Sequence, residues 1–229
     1  MNDGDDTGAR AIALAGERLW LLPSHAAWHP ASRTLFVADV HLGKAASFRA
    51  LGQPVPAGTT EDNLRRLDAV VRERDAAALV VLGDLLHAAA AQQQRVMAPL
   101  AEWRERHAER RCVLVRGNHD AHAGDPPSAL GIDVVDEPWP VAGAEALRGC
   151  HHPRAIAGTG VLAGHWHPAI TLRGPARDRQ RLPCFHRIGD LLVLPSFGAF
   201  TGTSTHRPTA GSTSYPVGAG RVWEGVVKG

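Results

Sequence analysis

Four short apolar runs limit most strongly how this chain can fold and what it can bind, because each of them ends at residues that commonly bind metal ions. The runs cover residues 34–38, 78–82, 112–115 and 159–163, and they are rich in Val and Leu. Their length and composition are typical of strands that are buried on both faces. The residues that follow the runs are, in order, Asp39-Val40-His41, Gly83-Asp84, Gly117-Asn118-His119-Asp120 and Gly164-His165-Trp166-His167.

Helical and loop segments lie between and after these runs. Residues 60–74 and 92–107 repeat apolar residues at helical spacing, and Pro99 predicts either a kink in the second segment or two shorter helices. Strands that alternate with helices indicate an α/β fold, with a largely parallel sheet at its start. Residues 173–183 are dense in Pro, Gly and Arg, and residues 198–220 in Gly, Ser and Thr, so we expect loops there.

Length and composition limit the class of protein. A chain of 229 residues with 44% hydrophobic residues fits one domain with a proper core. A charged fraction of 21% and a net charge of +2 exclude a disordered chain and a protein that binds nucleic acid by bulk charge alone. We expect a flexible tail and lead-in over residues 1–17 and one domain over residues 18–229. No apolar run suits a membrane span and residues 1–6 are acidic, so we expect a cytoplasmic protein without membrane contact.

The histidines outnumber the cysteines by thirteen to three. The odd cysteine count and the absence of a CxxC pair exclude a disulfide framework and a thiolate zinc site. A transition-metal site in this chain must therefore use nitrogen and oxygen donors.

The spacing of the polar residues predicts where those donors meet. In open α/β sheets, sites form beyond the carboxyl ends of the strands, so we expect the four loops to converge at one edge. Asp39 and His41 are two residues apart and share a face of extended chain, as do His165 and His167. Asp84 carries two carboxylate oxygens and can bridge two ions.

A further histidine pair follows residues 146–150, which form another short predicted strand. His151 is the first polar residue after that run, and Pro153 then redirects the chain. We assign His151 as a metal ligand, with His152 as the alternative.

The order of these motifs between Asp39 and His167 (DxH, GD, GNHD, H, GHxH) resembles that of the calcineurin-like metallophosphoesterases. The tetrapeptide GNHD alone arises by chance in about one chain in a thousand. Residues 39–44 (DVHLGK), 52–56 and 194–202 are also similar to the ligase-associated, DNA-damage-response endonuclease branch of that family. The resemblance implies a two-sheet β-sandwich flanked by helices.

The resemblance also implies a binuclear centre. His119 would act as a general acid over the leaving group, and Asp120 would orient it. The nitrogen and oxygen donors suit Mn²⁺, Fe or Zn²⁺, and we expect Mn²⁺ first. One ion would be bound by Asp39, His41, Asp84 and His167, and the other by Asp84, Asn118, His151 and His165.

Several other residues near the motifs are open to two interpretations. Lys44 and Arg154 are candidates for contacts with substrate phosphate, and the alternative is a solvated side chain. Trp166 could stack on a base or pack beside the site, while His87 and His122 are interpreted as supporting or surface residues. A basic stretch follows His167 and is either a nucleic-acid contact or a solvated loop; it contains Arg173, Arg177, Arg179 and Arg181.

These residues and motifs are compatible with three functions. The first is a metal-dependent phosphodiesterase that cuts nucleic acid, namely a DNA endonuclease in repair, and the resemblance implies association with an ATP-dependent DNA ligase, a helicase and an exonuclease. The second is a phosphodiesterase or phosphatase for a small substrate such as a cyclic nucleotide, which the modest net charge favours. The third is a non-catalytic scaffold on the same fold.

Overall fold

The computed structural model describes residues 8–50, 52–53, 55, 58–173, 179–204 and 209–227. A first sheet runs in chain order from β1 to β7, antiparallel up to β4 and parallel from β4 to β7. Its strands are β1 (Arg10–Leu14), β2 (Glu17–Leu21), β3 (Ala27–His29), β4 (Thr34–Val37), β5 (Ala78–Val81), β6 (Arg111–Val115) and β7 (Ile132–Val135).

A second, mixed sheet contains the rest of the described strands. Its strands are β8 (Trp139–Pro140), β9 (Leu147–Gly149), β10 (Gly160–Ala163), β11 (Ala169–Arg173), β12 (Arg179–Ile188), β13 (Leu191–Val193), β14 (Ser212–Gly218), β15 (Arg221–Val222) and β16 (Val226–Val227). At its centre β9, β10 and β13 are parallel, so their carboxyl ends lie at one end of the sheet. β11, β12 and β14 extend the sheet by antiparallel pairing.

The main core lies between the two sheets. Phe36, Val80 and Val113 of the first sheet pack in one cluster with Leu162 and Phe185 of the second. Their chain neighbours in the first sheet point the other way, against the helices, which explains why these strands are apolar without alternation.

The longer helices cover the outer face of the first sheet. The helices are α1 (Lys44–Ala50), α2 (Thr59–Glu73), α3 (Gln94–Arg106) and α4 (Asn118–Ala123), with 3₁₀ turns at Ala89–Gln92 and Ser128–Leu130. α2 and α3 bury their apolar faces against this sheet. The prediction of two shorter helices around Pro99 is wrong: α3 runs through Pro99, and the buried Val96, Leu100 and Trp103 offset the hydrogen bond that proline removes. No helix among the described residues is long and apolar enough to cross a membrane.

Three predicted loop or tail segments contain strands. β11 and β12 occupy most of the predicted loop at 173–183, and β14 lies within the predicted irregular stretch at 198–220. Residues 10–14, predicted as a flexible lead-in, form β1 because the Leu14 side chain is fully buried in the core between the sheets. Residues 1–7 lie outside the described part of the chain.

Candidate metal centre

The predicted ligand residues lie together at one end of the sandwich. The expectation that their loops share a single sheet is wrong, because β4, β5 and β6 belong to the first sheet and β9 and β10 to the second. The two sheets nevertheless present the carboxyl ends of these strands at the same place. Backbone hydrogen bonds join the loops: the amides of Asp39 and His41 donate to the carbonyls of Gly83 and Asp84.

One group of donors surrounds Asp39. Ligand atoms of Asp39, His41 and His167 all lie within 4.8 Å of one another, and His167 Nε2 is 3.3 Å from Asp39 Oδ1. His41 Nε2 is 3.9 Å from Oδ2 of Asp84. This group coincides with the ligand set that the resemblance implies for the first ion.

A second group surrounds His151. His151 Nε2 lies 3.5 Å from Asp84 Oδ1, 2.9 Å from Asn118 Oδ1 and 3.1 Å from His165 Nδ1. The two oxygens of Asp84 therefore face different groups, Oδ2 toward His41 and Oδ1 toward His151. Asp84 has the geometry of a bridging carboxylate.

The structure favours His151 over His152 as the donor. The His151 side chain is fully buried among the other donors, whereas His152 is half exposed and its Nδ1 pairs with the Glu137 carboxylate at 3.0 Å. His152 also lies within 4.8 Å of donor atoms of His151 and His165, on the exposed side of the centre.

These residues fit a pair of divalent cations. Metal–ligand bonds of about 2.1 Å give ligand–ligand distances of about 3.0–3.4 Å in octahedral or tetrahedral geometry, close to the separations above. His41 Nε2 is buried and has no hydrogen-bond partner among the described residues. A buried nitrogen left unpaired costs free energy, and a cation would accept its lone pair.

Backbone carbonyls fix two of the imidazoles in the form that such a site needs. A carbonyl only accepts, so His151 Nδ1 donates to the Leu82 carbonyl at 3.0 Å, and His167 Nδ1 donates to the Gly202 carbonyl at 3.0 Å. When such a ring is neutral, Nε2 is therefore its unprotonated nitrogen and is able to bind a metal. Metal-binding histidines are held in this way, which sets both the tautomer and the ring orientation.

The backbone of the donor loops is strained. Five donors have positive φ angles, a region that residues other than glycine rarely adopt, and such strain is typical of functional sites. These residues are Asp39, His41, Asp84, His165 and His167.

The protonation states of the donors also favour the binding of cations. Burial raises the pKa of the Asp84 carboxyl, with His151 acting against this shift and Asp39 adding to it. Burial lowers the pKa of His41 and of His165, and neighbouring cations and imidazoles add to the effect. Burial also acts to lower the pKa of His167, but the hydrogen bond and charge of Asp39 outweigh it, so that pKa is raised. The charge of the buried Asp84 carboxylate is thus incompletely compensated, while His41 and His165 are neutral and able to coordinate a cation.

His119 lies at the edge of this centre. Its Nδ1 donates to the His87 carbonyl at 2.8 Å, and its Nε2 is 4.0 Å from Asp84 Oδ2. Its ring is partly exposed and can reach a substrate. This position suits a proton donor that acts on a leaving group beside the metal ligands.

Asp120, which is predicted to orient His119, lies buried under the loops of the centre. Its buried carboxylate accepts hydrogen bonds from the backbone amides of Asp84, Leu86 and Gly117. In this arrangement Asp120 would orient His119 only through the backbone of these loops. Asp120 holds the Asp84 loop, and the His87 carbonyl orients the His119 ring.

Two residues have a larger part in the centre than the sequence indicates. The His87 ring stacks on His119 with centroids 4.6 Å apart, and its Nδ1 is 3.3 Å from Nδ1 of His41. Burial lowers the pKa of His87 to about 4, so this ring is neutral. The Glu137 carboxylate accepts the amides of His151 at 2.6 Å and His152 at 2.9 Å. The three-residue spacing from Asp84 to His87 is a usable sequence signal, whereas Glu137 carries none.

The candidate phosphate contacts have different surroundings. Lys44 begins α1 and lies beside His41 and His167, with its side chain half buried. Arg154 lies 3.6 Å from the Glu137 carboxylate, on the side of His152. Arg181 binds the backbone of Thr203 and Ser204. Arg177 and the side chain of Arg173 lie outside the described residues.

The sandwich and its donors define a class of protein, the phosphoesterases that work with bound metal ions. A family model described as calcineurin-like phosphoesterase matches residues 32–147. The chain belongs to this family and is a hydrolase that acts on phosphoester bonds.

One solved structure supports this assignment. The nuclease MPE of Pseudomonas putida has 44% sequence identity and a TM-score of 0.81, over 95% of this chain and 100% of that chain. The phosphoesterase Yfce of E. coli has 16% identity and a TM-score of 0.43, over 85% of this chain and 98% of that one. The second superposition is too loose to bear on function. The comparison with curated proteins found no match.

Proposed function

We propose that this protein is a binuclear-metal phosphodiesterase that cuts nucleic acid, and specifically a DNA endonuclease that acts in DNA repair. The nuclease activity is supported by the nuclease MPE, which is similar over nearly the whole chain. The observation that carries the binuclear part is the Asp84 carboxylate, whose oxygens face two separate groups of donors.

The residues present would divide between two ions as follows. Asp39, His41 and His167 would hold one ion, Asn118, His151 and His165 the other, and Asp84 would be shared. When bound, two divalent ions supply Lewis acidity toward the phosphate and acidify a water. We expect Mn²⁺, with Fe or Zn²⁺ as alternatives, because the donor set suits all three.

The chain's own residues then position the substrate and move one proton. His119 would hold that proton at Nε2 and release it to the departing alkoxide oxygen. Because Nδ1 donates to the His87 carbonyl before and after this transfer, the ring keeps its orientation. A histidine is suited to this role, since its ordinary pKa lies near neutrality. Lys44 is proposed to contact a substrate phosphate, and Arg154, which faces Glu137, is the weaker candidate.

The biological setting rests on the sequence alone. The resemblance of its motifs supports the link to repair and the association with an ATP-dependent DNA ligase, a helicase and an exonuclease. The cytoplasmic location and the single domain over residues 18–229 likewise stay predictions.

A phosphodiesterase or phosphatase for a small substrate is the second candidate, and the net charge of only +2 favours it. A non-catalytic scaffold is disfavoured, because the full donor set and His119 are assembled in one place.

Cleavage of circular DNA with Mn²⁺, measured beside turnover of an aryl phosphodiester, separates these functions. We expect nicked or linear DNA as well as release of the phenol. Turnover of the aryl ester with intact DNA would refute the nuclease assignment, and no turnover of either substrate would favour the scaffold.

A further inference from the structure

An open cleft of about 460 Å³ leads away from the candidate metal centre. Two of the metal-ligand candidates, His165 and His167, line it. This volume is in the range of pockets that hold small organic ligands. The other lining residues are Lys44, Trp166, Gly202, Thr203 and Ser204.

Lys44 supplies the positive charge of this cleft. Its side chain is half buried and lines the cleft together with the candidate ligands His165 and His167. Among the described residues it forms no direct salt bridge with a carboxylate. Once divalent cations occupied the centre, the carboxylates of Asp39 and Asp84 would no longer offset the charge of Lys44. A cation beside such a centre is placed to pair with an anionic group of the substrate.

The opposite wall of the cleft is held in place. The Ser204 amide donates to the His167 carbonyl at 3.0 Å, and the His167 ring donates in return to the Gly202 carbonyl at 3.0 Å. Arg181 donates to Thr203 Oγ1 at 2.7 Å and to the Ser204 carbonyl. This wall is therefore formed before a ligand binds, which lowers the entropic cost of binding.

Trp166 adds an apolar surface to a cleft that is otherwise polar. The indole is partly buried and packs against the cluster that contains Cys150, Val161 and Ala163, on the outer face of the second sheet. An anion site next to an aromatic surface suits a phosphate with its attached nucleoside.

We propose that this cleft binds the phosphate next to the scissile one in a polynucleotide, with Lys44 as the residue that contacts it. This inference rests on the proposed nuclease function and adds to it a preference for chains of phosphodiesters. A substrate with a single phosphate would gain little from Lys44. The contact would therefore discriminate polynucleotides from small phosphodiesters.

Replacement of Lys44 tests the inference. Lys44→Met removes the charge at similar length, Lys44→Arg keeps it, and Arg111→Met removes a cation paired with Asp133 at the amino end of β6, away from the centre. For each variant, kcat/KM is measured with Mn²⁺ on a short DNA oligonucleotide and on an aryl phosphodiester that has one phosphate.

We expect Lys44→Met to lose about tenfold more kcat/KM on the oligonucleotide than on the aryl ester, mainly through KM. The logarithm of the binding constant should also depend less steeply on the logarithm of the salt concentration, by the amount expected when about one phosphate contact is lost. Lys44→Arg should recover much of the loss, and Arg111→Met should match the wild type on both substrates.

Two results would overturn the inference while leaving the nuclease function intact. An equal loss of kcat/KM on both substrates would show that Lys44 contacts the scissile phosphate. No loss of kcat/KM on either substrate would show that Lys44 does not contribute to substrate binding. If the wild type turned over the aryl ester but not the oligonucleotide, the proposed function would fail, and this inference with it.

Discussion

At the scale of single residues, the centre depends on how each side chain is held. Carbonyl acceptors fix His151, His167 and His119 through Nδ1, so that Nε2 of each ring faces the donors or the substrate side. The sequence predicts which residues meet, since their types and spacing limit what they can bind. It cannot predict that Asp120 serves the backbone of the Asp84 loop, because that contact depends on how the loops fold over one another.

His119→Ala should retain the metal and lose about 10²–10⁴-fold in the rate of DNA cleavage, the usual contribution of a general acid. Metal content by elemental analysis and kcat on DNA check this prediction. Arg111→Met, at the amino end of β6 and away from the centre, is the control and should cleave at nearly the wild-type rate. Unchanged turnover by His119→Ala would refute its role as an acid.

Asp84→Ala should bind fewer than two ions per chain, because both donor groups lose the oxygen that they share. Elemental analysis after gel filtration in Mn²⁺ gives the stoichiometry, with the wild type as reference. Retention of two ions by this variant would contradict the bridging geometry.

At the scale of elements, the strands made of apolar residues could be predicted from the sequence, and the strands that contain many polar residues could not. β4, β5, β6 and β10 consist of buried Val, Leu and similar residues, so the sequence alone indicated them. The start of β12 carries Arg residues that face solvent, whereas β14 carries Ser212, Ser214 and Pro216 at buried positions. In such strands, pairing with neighbours overrides the local preference for a loop.

Asn63 on α2 shows how one element holds the loops of others. Its buried amide donates to the Val40 carbonyl at 3.2 Å and accepts the Ala199 amide at 3.0 Å. It thus joins the loop of Asp39 and His41 to the loop that follows β13. The amides of Phe197 and Gly198 in that second loop donate to the carbonyls of Ala38 and Asp39.

Asn63→Ala should destabilise the protein by about 1–3 kcal/mol, since the buried Val40 carbonyl and the partly buried Ala199 amide lose their partner. It should also weaken Mn²⁺ binding, because the Asp39 loop is less constrained. Urea unfolding without metal and a Mn²⁺ titration followed by calorimetry measure the two effects. The control, Arg65→Ala on the exposed face of α2, should change stability by less than about 0.5 kcal/mol. Unaltered stability and Mn²⁺ affinity in Asn63→Ala would contradict this role.

At the scale of the whole molecule, the centre spans the gap between the two sheets. Asp39, His41 and Asp84 follow strands of the first sheet, and His151 and His165 follow strands of the second. The sequence could not reveal this division, because the four apolar runs are similar in length and composition. The order of strands along the chain also does not determine to which sheet each strand belongs. Bound ions would therefore link the sheets as well as serve catalysis.

Metal should accordingly stabilise the whole fold. With free Mn²⁺ at about 100 times its Kd, binding contributes about 2.7 kcal/mol, or an increase in Tm of about 5–10 °C for a chain of this size. Thermal unfolding with Mn²⁺ and with a chelator measures the difference, and Asp84→Ala should show a smaller one. Equal Tm values for the wild type in both conditions would show that metal does not bind the folded state.

The binuclear centre itself is tested most directly by anomalous diffraction from crystals of the protein grown with Mn²⁺. We expect two peaks about 3.5–4 Å apart, with Oδ2 of Asp84 on the ion beside His41 and Oδ1 on the ion beside His151. A single peak, or two peaks of which Asp84 contacts at most one, would contradict the shared-carboxylate centre.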